Sequence, residues 1–157
     1  MFFSKKLRLA SAVLGVAMLS TVFAGCGGDS ASSDEIKVGA NIEMTGNQAN
    51  YGNAGLEGLR LAIKEANEAG GINGKQIKLV EADNKSESAE AVNAATKLIS
   101  DDGVKVIVGP AVTANVIAES QVATDNKVPV IAFAATNPDV TVENGAVKPY
   151  IFRSCFI

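Results

Sequence analysis

The chain has 157 residues, 47% of them apolar, and carries 14 basic and 17 acidic side chains for a net charge of −3. That balance offers no attraction to nucleic acid, and the absence of histidine removes the commonest general base and the commonest neutral metal ligand. The two cysteines are Cys26 and Cys155; with Cys26 at a processing site, no disulfide can form in the remainder, and stability must come from packing.

Lys5, Lys6 and Arg8 precede an apolar run from Leu9 to Ala24. The run is too short and wrongly flanked for a membrane span, and reads as an export signal over residues 1–25. Gly27-Gly28-Asp29-Ser30-Ala31-Ser32-Ser33-Asp34 has the composition of a flexible linker, so residues 26–34 form a tether. Beyond the signal stand 11 basic and 17 acidic residues, net −6, in a length that suits one domain over 35–157. Cleavage after Ala24 would leave Cys26 a free thiol. Val22-Phe23-Ala24-Gly25-Cys26 also resembles the bacterial lipobox, with Phe23 where leucine is usual. That resemblance implies a diacylated Cys26 as the first mature residue, and two acyl chains are what stable membrane attachment requires.

Ile36, Val38, Ala40 and Ile42 alternate before Thr45-Gly46-Asn47, which predicts a first strand ending in a turn. From Tyr51 to Ala69 the apolar and small residues Tyr51, Ala54, Gly55, Gly58, Leu59, Ala62, Ile63 and Ala66 recur at helical spacing, and Gly70-Gly71 stops the helix. Gly55 and Gly58 inside it imply close approach to a neighbouring backbone. Ile72-Asn73-Gly74-Lys75 predicts a tight turn, and Gln76 to Asp83 a second strand. Asn84 to Glu87 can cap a second helix whose inner face is Val92, Ala95, Leu98 and Ile99. Val104 to Val108 reads as a strand covered on both sides. A third helix over Thr113 to Asp125 turns Val116, Ile117, Ser120 and Ala123 inward; Val128 to Ala132 is a fourth strand, and Pro149 to Phe156 contains a fifth.

This alternation predicts an α/β fold, a doubly wound parallel sheet with helices on both faces. Its ligand crevice lies at the carboxyl ends of the first and third strands, bounded by Met44 to Asn53, Gly109 to Thr113 and Phe133 to Asn137. Thr113 either caps the third helix or offers its hydroxyl, beside free helix amides, to an anion. Thr136 either binds ligand or forms a local turn before Asn137-Pro138, and Tyr51 packs in the core or faces an apolar ligand group. A phosphate loop is excluded at Gly70 to Gln76, because the spacing needs glycine where Ala69 stands and Ser or Thr where Gln76 stands. Glu43, Glu81 and Asp83 are read as alternate strand positions and solvated strand ends, not as an acid/base pair.

Four segments carry a family resemblance: Thr45 to Gly52 (TGNQANYG), Glu65 to Lys75 (EANEAGGINGK), Val108-Gly109-Pro110 and Ala134 to Pro138 (AATNP). Together they resemble the branched-chain amino-acid-binding proteins of bacterial ABC importers, over Ile36 to Ile157. The resemblance implies the N-terminal lobe of a type I periplasmic-binding-protein fold in residues 35–157, with a second lobe to follow, so that the chain corresponds to an N-terminal fragment. It implies that Thr113 and Thr136 hold an amino acid's carboxylate and ammonium, that the Ala134 carbonyl accepts from the ammonium, and that Tyr51 lines the side-chain pocket. The partners it implies are a small amino acid (leucine, isoleucine or valine), an ABC permease and, through the lipid anchor, a membrane; no cofactor or metal and no enzymatic activity is implied. An exported sensory module for amino acids or amides is the alternative, and an exported hydrolase a third reading.

Overall fold

The structure, a computed structural model, describes residues 35–157. The expected signal peptide, the tether and Cys26 lie outside the described residues.

Two strands form the first pair of the sheet. β1 (Ile36–Ile42) is followed by α1 (Ala49–Glu68) and β2 (Ile77–Asp83), which lies parallel to β1 through seven pairs from Ile36 opposite Ile77 to Ile42 opposite Asp83. The chain then runs through α2 (Ser88–Ser100), β3 (Val106–Val108), α3 (Thr113–Asp125) and β4 (Val130–Ala132). A 3-10 turn at Pro138–Val140 and a small antiparallel hairpin, β5 (Val142–Glu143) and β6 (Ala146–Val147), precede β7 (Ile151–Arg153). The five parallel strands stand in the order β2-β1-β3-β4-β7. Each helix makes a crossover between parallel strands, and the chain reverses direction between β1 and β3, as the doubly wound reading expects.

Strand alternation divides the core. Ala40 and Ile42 face α1 and pack on Leu56, with Met44, Leu59, Leu79 and Phe133 around them. Gly39 and Asn41 face the opposite layer: a Cβ on Gly39 would lie 3.2 Å from both Leu98 and Val104, and the Asn41 amide reaches the Ala91 carbonyl of α2. The larger core belongs to that layer, where Leu98, Ile107, Val116, Ala123, Val130 and Ile151 are buried together. Burying a side chain of leucine or valine size is worth about 1.5–3 kcal/mol, so this cluster dominates the packing energy. α1 does not reach the far edge of the sheet. Ile131 and Phe152, register partners on β4 and β7, are 37% and 51% exposed.

Several sequence expectations need correction. α1 is turned partway from the predicted face: Gly52 and Leu56 are its buried residues and Gly55, Leu59, Ile63 and Ala66 are half-buried as predicted, while Tyr51, Ala54, Gly58 and Ala62 are exposed. The cause is Gly52, whose added Cβ would meet the Glu43 carbonyl at 2.2 Å; that close approach fixes the helix on β1 and turns Tyr51 outward. Gly55 abuts the Phe133 ring rather than a backbone, and Gly58 has open space. In α2 the buried positions are Ala91, Ala94, Ala95 and Leu98, with Val92 and Ile99 only half-buried. In α3 Ile117 is exposed, and Asn115 and Glu119 take up the inner face instead. Asn73 and Gly74 both have positive φ and link Ile72 to Lys75 by two reciprocal hydrogen bonds, the expected tight turn.

Candidate functional site

At the carboxyl ends of β1, β3 and β4, three loops meet around the point where strand order reverses. The first is fixed by Asp83, at the end of β2. Its carboxylate accepts the amides of Met44 and Thr45 at 3.1 Å, the Thr45 hydroxyl at 2.7 Å and the Lys85 amide at 2.8 Å. Burial pushes this carboxyl upward, but the bonds from the Thr45 hydroxyl and the Lys85, Thr45 and Met44 amides outweigh it and hold it below its usual value. Asn53 donates to the Met44 carbonyl at 3.0 Å, tying the first turn of α1 to the same loop.

The second loop, Gly109 to Val112, is pressed against β1. Gly109 has φ +99°, and a Cβ there would lie 2.3 Å from the Asn41 carbonyl oxygen, so only glycine fits. The Gly109–Pro110 peptide is cis. Glu43, fully buried, sends its carboxylate into this loop and accepts from the Ala111 amide at 2.9 Å, the Val112 amide at 3.2 Å and the Asn115 side chain at 3.0 Å. Glu43 is therefore no solvated strand end, because alternation aims it at the helix layer where the α3 entrance supplies donors. Glu81, by contrast, is exposed and pairs with Arg60 through both carboxylate oxygens.

Thr113 is the first residue of α3; Val112 occupies the N-cap and makes no side-chain capping bond. The capping role is thus filled by Glu43 from another strand, and the Thr113 hydroxyl bonds to no described residue. The Thr113 and Ala114 amides likewise find no acceptor among the described residues, while Asn115 and Val116 both donate to the Val112 carbonyl at 3.1 Å.

The third loop follows β4 and is clamped by the end of β7. Arg153 donates to the carbonyls of Thr136 at 3.1 Å and Asn137 at 3.0 Å, the Ser154 amide donates to Ala132 at 3.0 Å, and the Cys155 thiol donates to Ala135 at 3.3 Å. Asn137 turns back on Asp139, capping the 3-10 turn. Ala134 and Thr136 are exposed on this loop, and Phe133 reaches across to Gly55 of α1. The four residues singled out from sequence thus lie at one sheet end, Tyr51 in the first turn of α1, Thr113 at the start of α3, and Ala134 and Thr136 on the loop after β4. Tyr51 stands 69% exposed there, outside the core.

Sequence reading missed the polar layer beneath these loops. Asn41 donates to Ala91 and to Glu119 and accepts from Asn84 at 3.2 Å; Ser88 donates to Asn115 at 3.0 Å. The signal was present: Asn41 and, one residue past the end of β1, Glu43 alternate onto the side that α2 and α3 cover, and Asn115 and Glu119 are spaced by one helical turn. Glu119 is fully buried with Oε1 unpaired, and burial, opposed by the Asn41 bond and reinforced by the Glu43 charge, pushes its carboxyl well above the usual range. Among the described residues no group of three or more His, Cys, Asp or Glu could hold a metal ion, and no helix is long and apolar enough to cross a membrane.

A family model described as periplasmic binding protein matches residues 35–156. The chain belongs to that family. Among its relatives, the Leu/Ile/Val-binding protein homolog 8 of Brucella abortus is 37% identical over 146 residues, covering 93% of this chain and 34% of the relative. Among solved structures, the branched-chain amino acid transporter substrate binding protein LivJ from Streptococcus pneumoniae, in complex with isoleucine, is 43% identical with a TM-score of 0.73, covering 78% of this chain and 34% of that one. A solute binding protein of an ABC transporter from Rhodopseudomonas palustris, in complex with 3,4-dihydroxy benzoic acid, is 33% identical with a TM-score of 0.70, covering 78% and 32%. The chain spans about a third of the length of these periplasmic binding proteins. The five-stranded parallel sheet with its flanking helices is the type I periplasmic-binding-protein fold.

Proposed function

We propose that this chain forms the first lobe of an extracytoplasmic solute-binding protein that captures a branched-chain or related amino acid between two lobes and delivers it to an ABC permease. The observation that carries this reading is the unengaged set at the α3 entrance: the Thr113 hydroxyl and the Thr113 and Ala114 amides, at the switch point of the sheet. Helix amides and a hydroxyl suit a carboxylate. Thr136 and the Ala134 carbonyl, on the next loop, suit the ammonium, and the exposed Tyr51 ring suits an aliphatic side chain. Isoleucine in the LivJ structure supports an amino acid, and the dihydroxybenzoate complex marks an aromatic acid as the competing ligand class. The role is binding and release by hinge motion, without covalent chemistry.

The test is calorimetric titration of the full-length gene product with leucine, isoleucine, valine and 3,4-dihydroxybenzoate. Micromolar or tighter binding of an aliphatic amino acid, recovered unchanged afterwards, supports the proposal; binding of the aromatic acid alone rejects it. A buried methylene is worth only about 0.8 kcal/mol, so leucine, isoleucine and valine should differ modestly in affinity. Membrane anchoring through Cys26 belongs to the same proposal. Its check is the intact mass of the membrane-extracted protein, which should start at a diacylated Cys26.

A further inference from the structure

The donors at the α3 entrance are divided in two. The Ala111 and Val112 amides go to Glu43, whose two carboxylate oxygens each receive one, with the Asn115 side chain as a third donor. The next two amides, Thr113 and Ala114, have no acceptor among the described residues, and bonding to the Val112 carbonyl resumes at Asn115 and Val116. A bare helix entrance would let an incoming anion settle on any of its free amides. With two of them filled from inside the protein, one location remains.

We propose that Glu43 is a positioning residue for ligand capture: it acts as an internal anion that holds the turn before α3 and leaves the Thr113 and Ala114 amides, with the Thr113 hydroxyl, as the one place for the ligand carboxylate. This rests on the amino-acid reading above. Three features make the hold rigid. Glu43 is fully buried, so its geometry is set by packing. Gly109 lies against the Asn41 carbonyl, so the turn cannot retreat toward β1. Asn115, bonded to Glu43, also accepts from Ser88, which fastens the entrance to α2. A ligand carboxylate fixed to a single location gains orientation as well as attraction, and orientation is what a closing binding site needs.

The role predicts a change of specificity, which a general loss of stability does not produce. Glu43→Gln replaces one acceptor oxygen by an NH2 group facing an N–H donor, which loosens the turn. In the full-length gene product this variant should bind leucine at least tenfold more weakly, while leucinamide, which keeps the ammonium and side chain but lacks the carboxylate, changes by less than threefold. Glu43→Asp, which keeps both oxygens, should recover part of the leucine preference. Independently of ligand, amide hydrogen exchange on the unliganded wild type should show Ala111 and Val112 protected and Thr113 and Ala114 exchanging freely, with the protection lost in Glu43→Gln. Leucine affinity within twofold of wild type in Glu43→Gln, equal losses for leucine and leucinamide, or Ala111 and Val112 amides that exchange as fast as Thr113 would each overturn the role. A wild-type protein that does not bind leucine overturns the amino-acid reading itself, whatever the exchange pattern.

Discussion

Glu119 and Thr113 lie about one and two-thirds turns apart on α3, and the same helix gives them opposite tasks. Glu119 is sealed in the polar layer with one donor, Asn41, and one orphaned oxygen. Its folded-state value is raised well above the unfolded reference of 4.5, so the folded protein holds a proton that the unfolded chain releases. The stability it contributes is full below about pH 4.5 and declines as pH rises toward the folded value. Glu119→Gln keeps the shape and the Asn41 bond but cannot ionise; urea midpoints from pH 4 to 8 should fall less steeply with pH than in wild type, and parallel slopes would show that Glu119 ionises in the fold. Asp83, held below its usual value, acts at the other end of the scale, giving stability that is lost as pH falls through its folded value. Thr113 is half-buried with its hydroxyl unengaged. Thr113→Ala should weaken amino-acid binding by about 1–3 kcal/mol, the loss of a hydrogen bond to a charged group, and should leave the thermal midpoint nearly unchanged, since no capping bond is removed. A fall in midpoint with unchanged affinity would assign Thr113 to the helix alone.

The helices illustrate what the sequence could disclose and what it could not. Strands β1 and β2 and helices α2 and α3 were legible to within a residue or two because their limits are written in local chemistry, such as Ile36 to Ile42 alternation and Gly103 after α2. The face of α1 was legible only in part, with Gly55, Leu59, Ile63 and Ala66 inward as read, because Gly52, Ala54, Gly55, Gly58 and Ala62 give small residues on every side and only contact with β1 decides which of them are inward. Two glycine substitutions separate the cases. Gly52→Ala places a Cβ 2.2 Å from the Glu43 carbonyl and should cost about 1–3 kcal/mol or more as overpacking, whereas Gly58→Ala enters open space within a helix and should gain about 0.5–1 kcal/mol. Denaturant melts of the pair read the sign directly; two destabilised variants would mean that α1 docks on another face. The candidate site was legible as a place, since topology alone puts Tyr51, Thr113, Ala134 and Thr136 at one sheet end. Its support was not, because a carboxylate such as Glu43 announces burial only when a helix entrance arrives opposite it from 68 residues away. The β5–β6 hairpin, despite Asn144-Gly145 at its turn, has arms of two residues, too short for a pattern of alternation.

On the scale of the whole molecule, the proposed site is an open face of the described residues. Tyr51 is 69% exposed, and Ala134 and Thr136 are open to solvent on their loop. Small-ligand sites bury about 70–90% of the ligand surface, and a single loop-built face cannot do so. The hydrogen bonds available at Thr113 and Ala114 must there compete with water, which reduces each to about 0.5–1.5 kcal/mol net, and an exposed Tyr51 ring buries little of the ligand side chain to add to them. The association cost of several kcal/mol then consumes most of the gain. The 157-residue chain by itself should therefore bind leucine with a Kd of about 1 mM or weaker, near −4 kcal/mol. A titration of this chain that gave a Kd near 1 μM, about −8 kcal/mol, would mean that this face alone encloses the ligand. In that event Tyr51 must swing inward over the crevice on binding, which would appear as loss of its solvent exposure to an aqueous tyrosine probe.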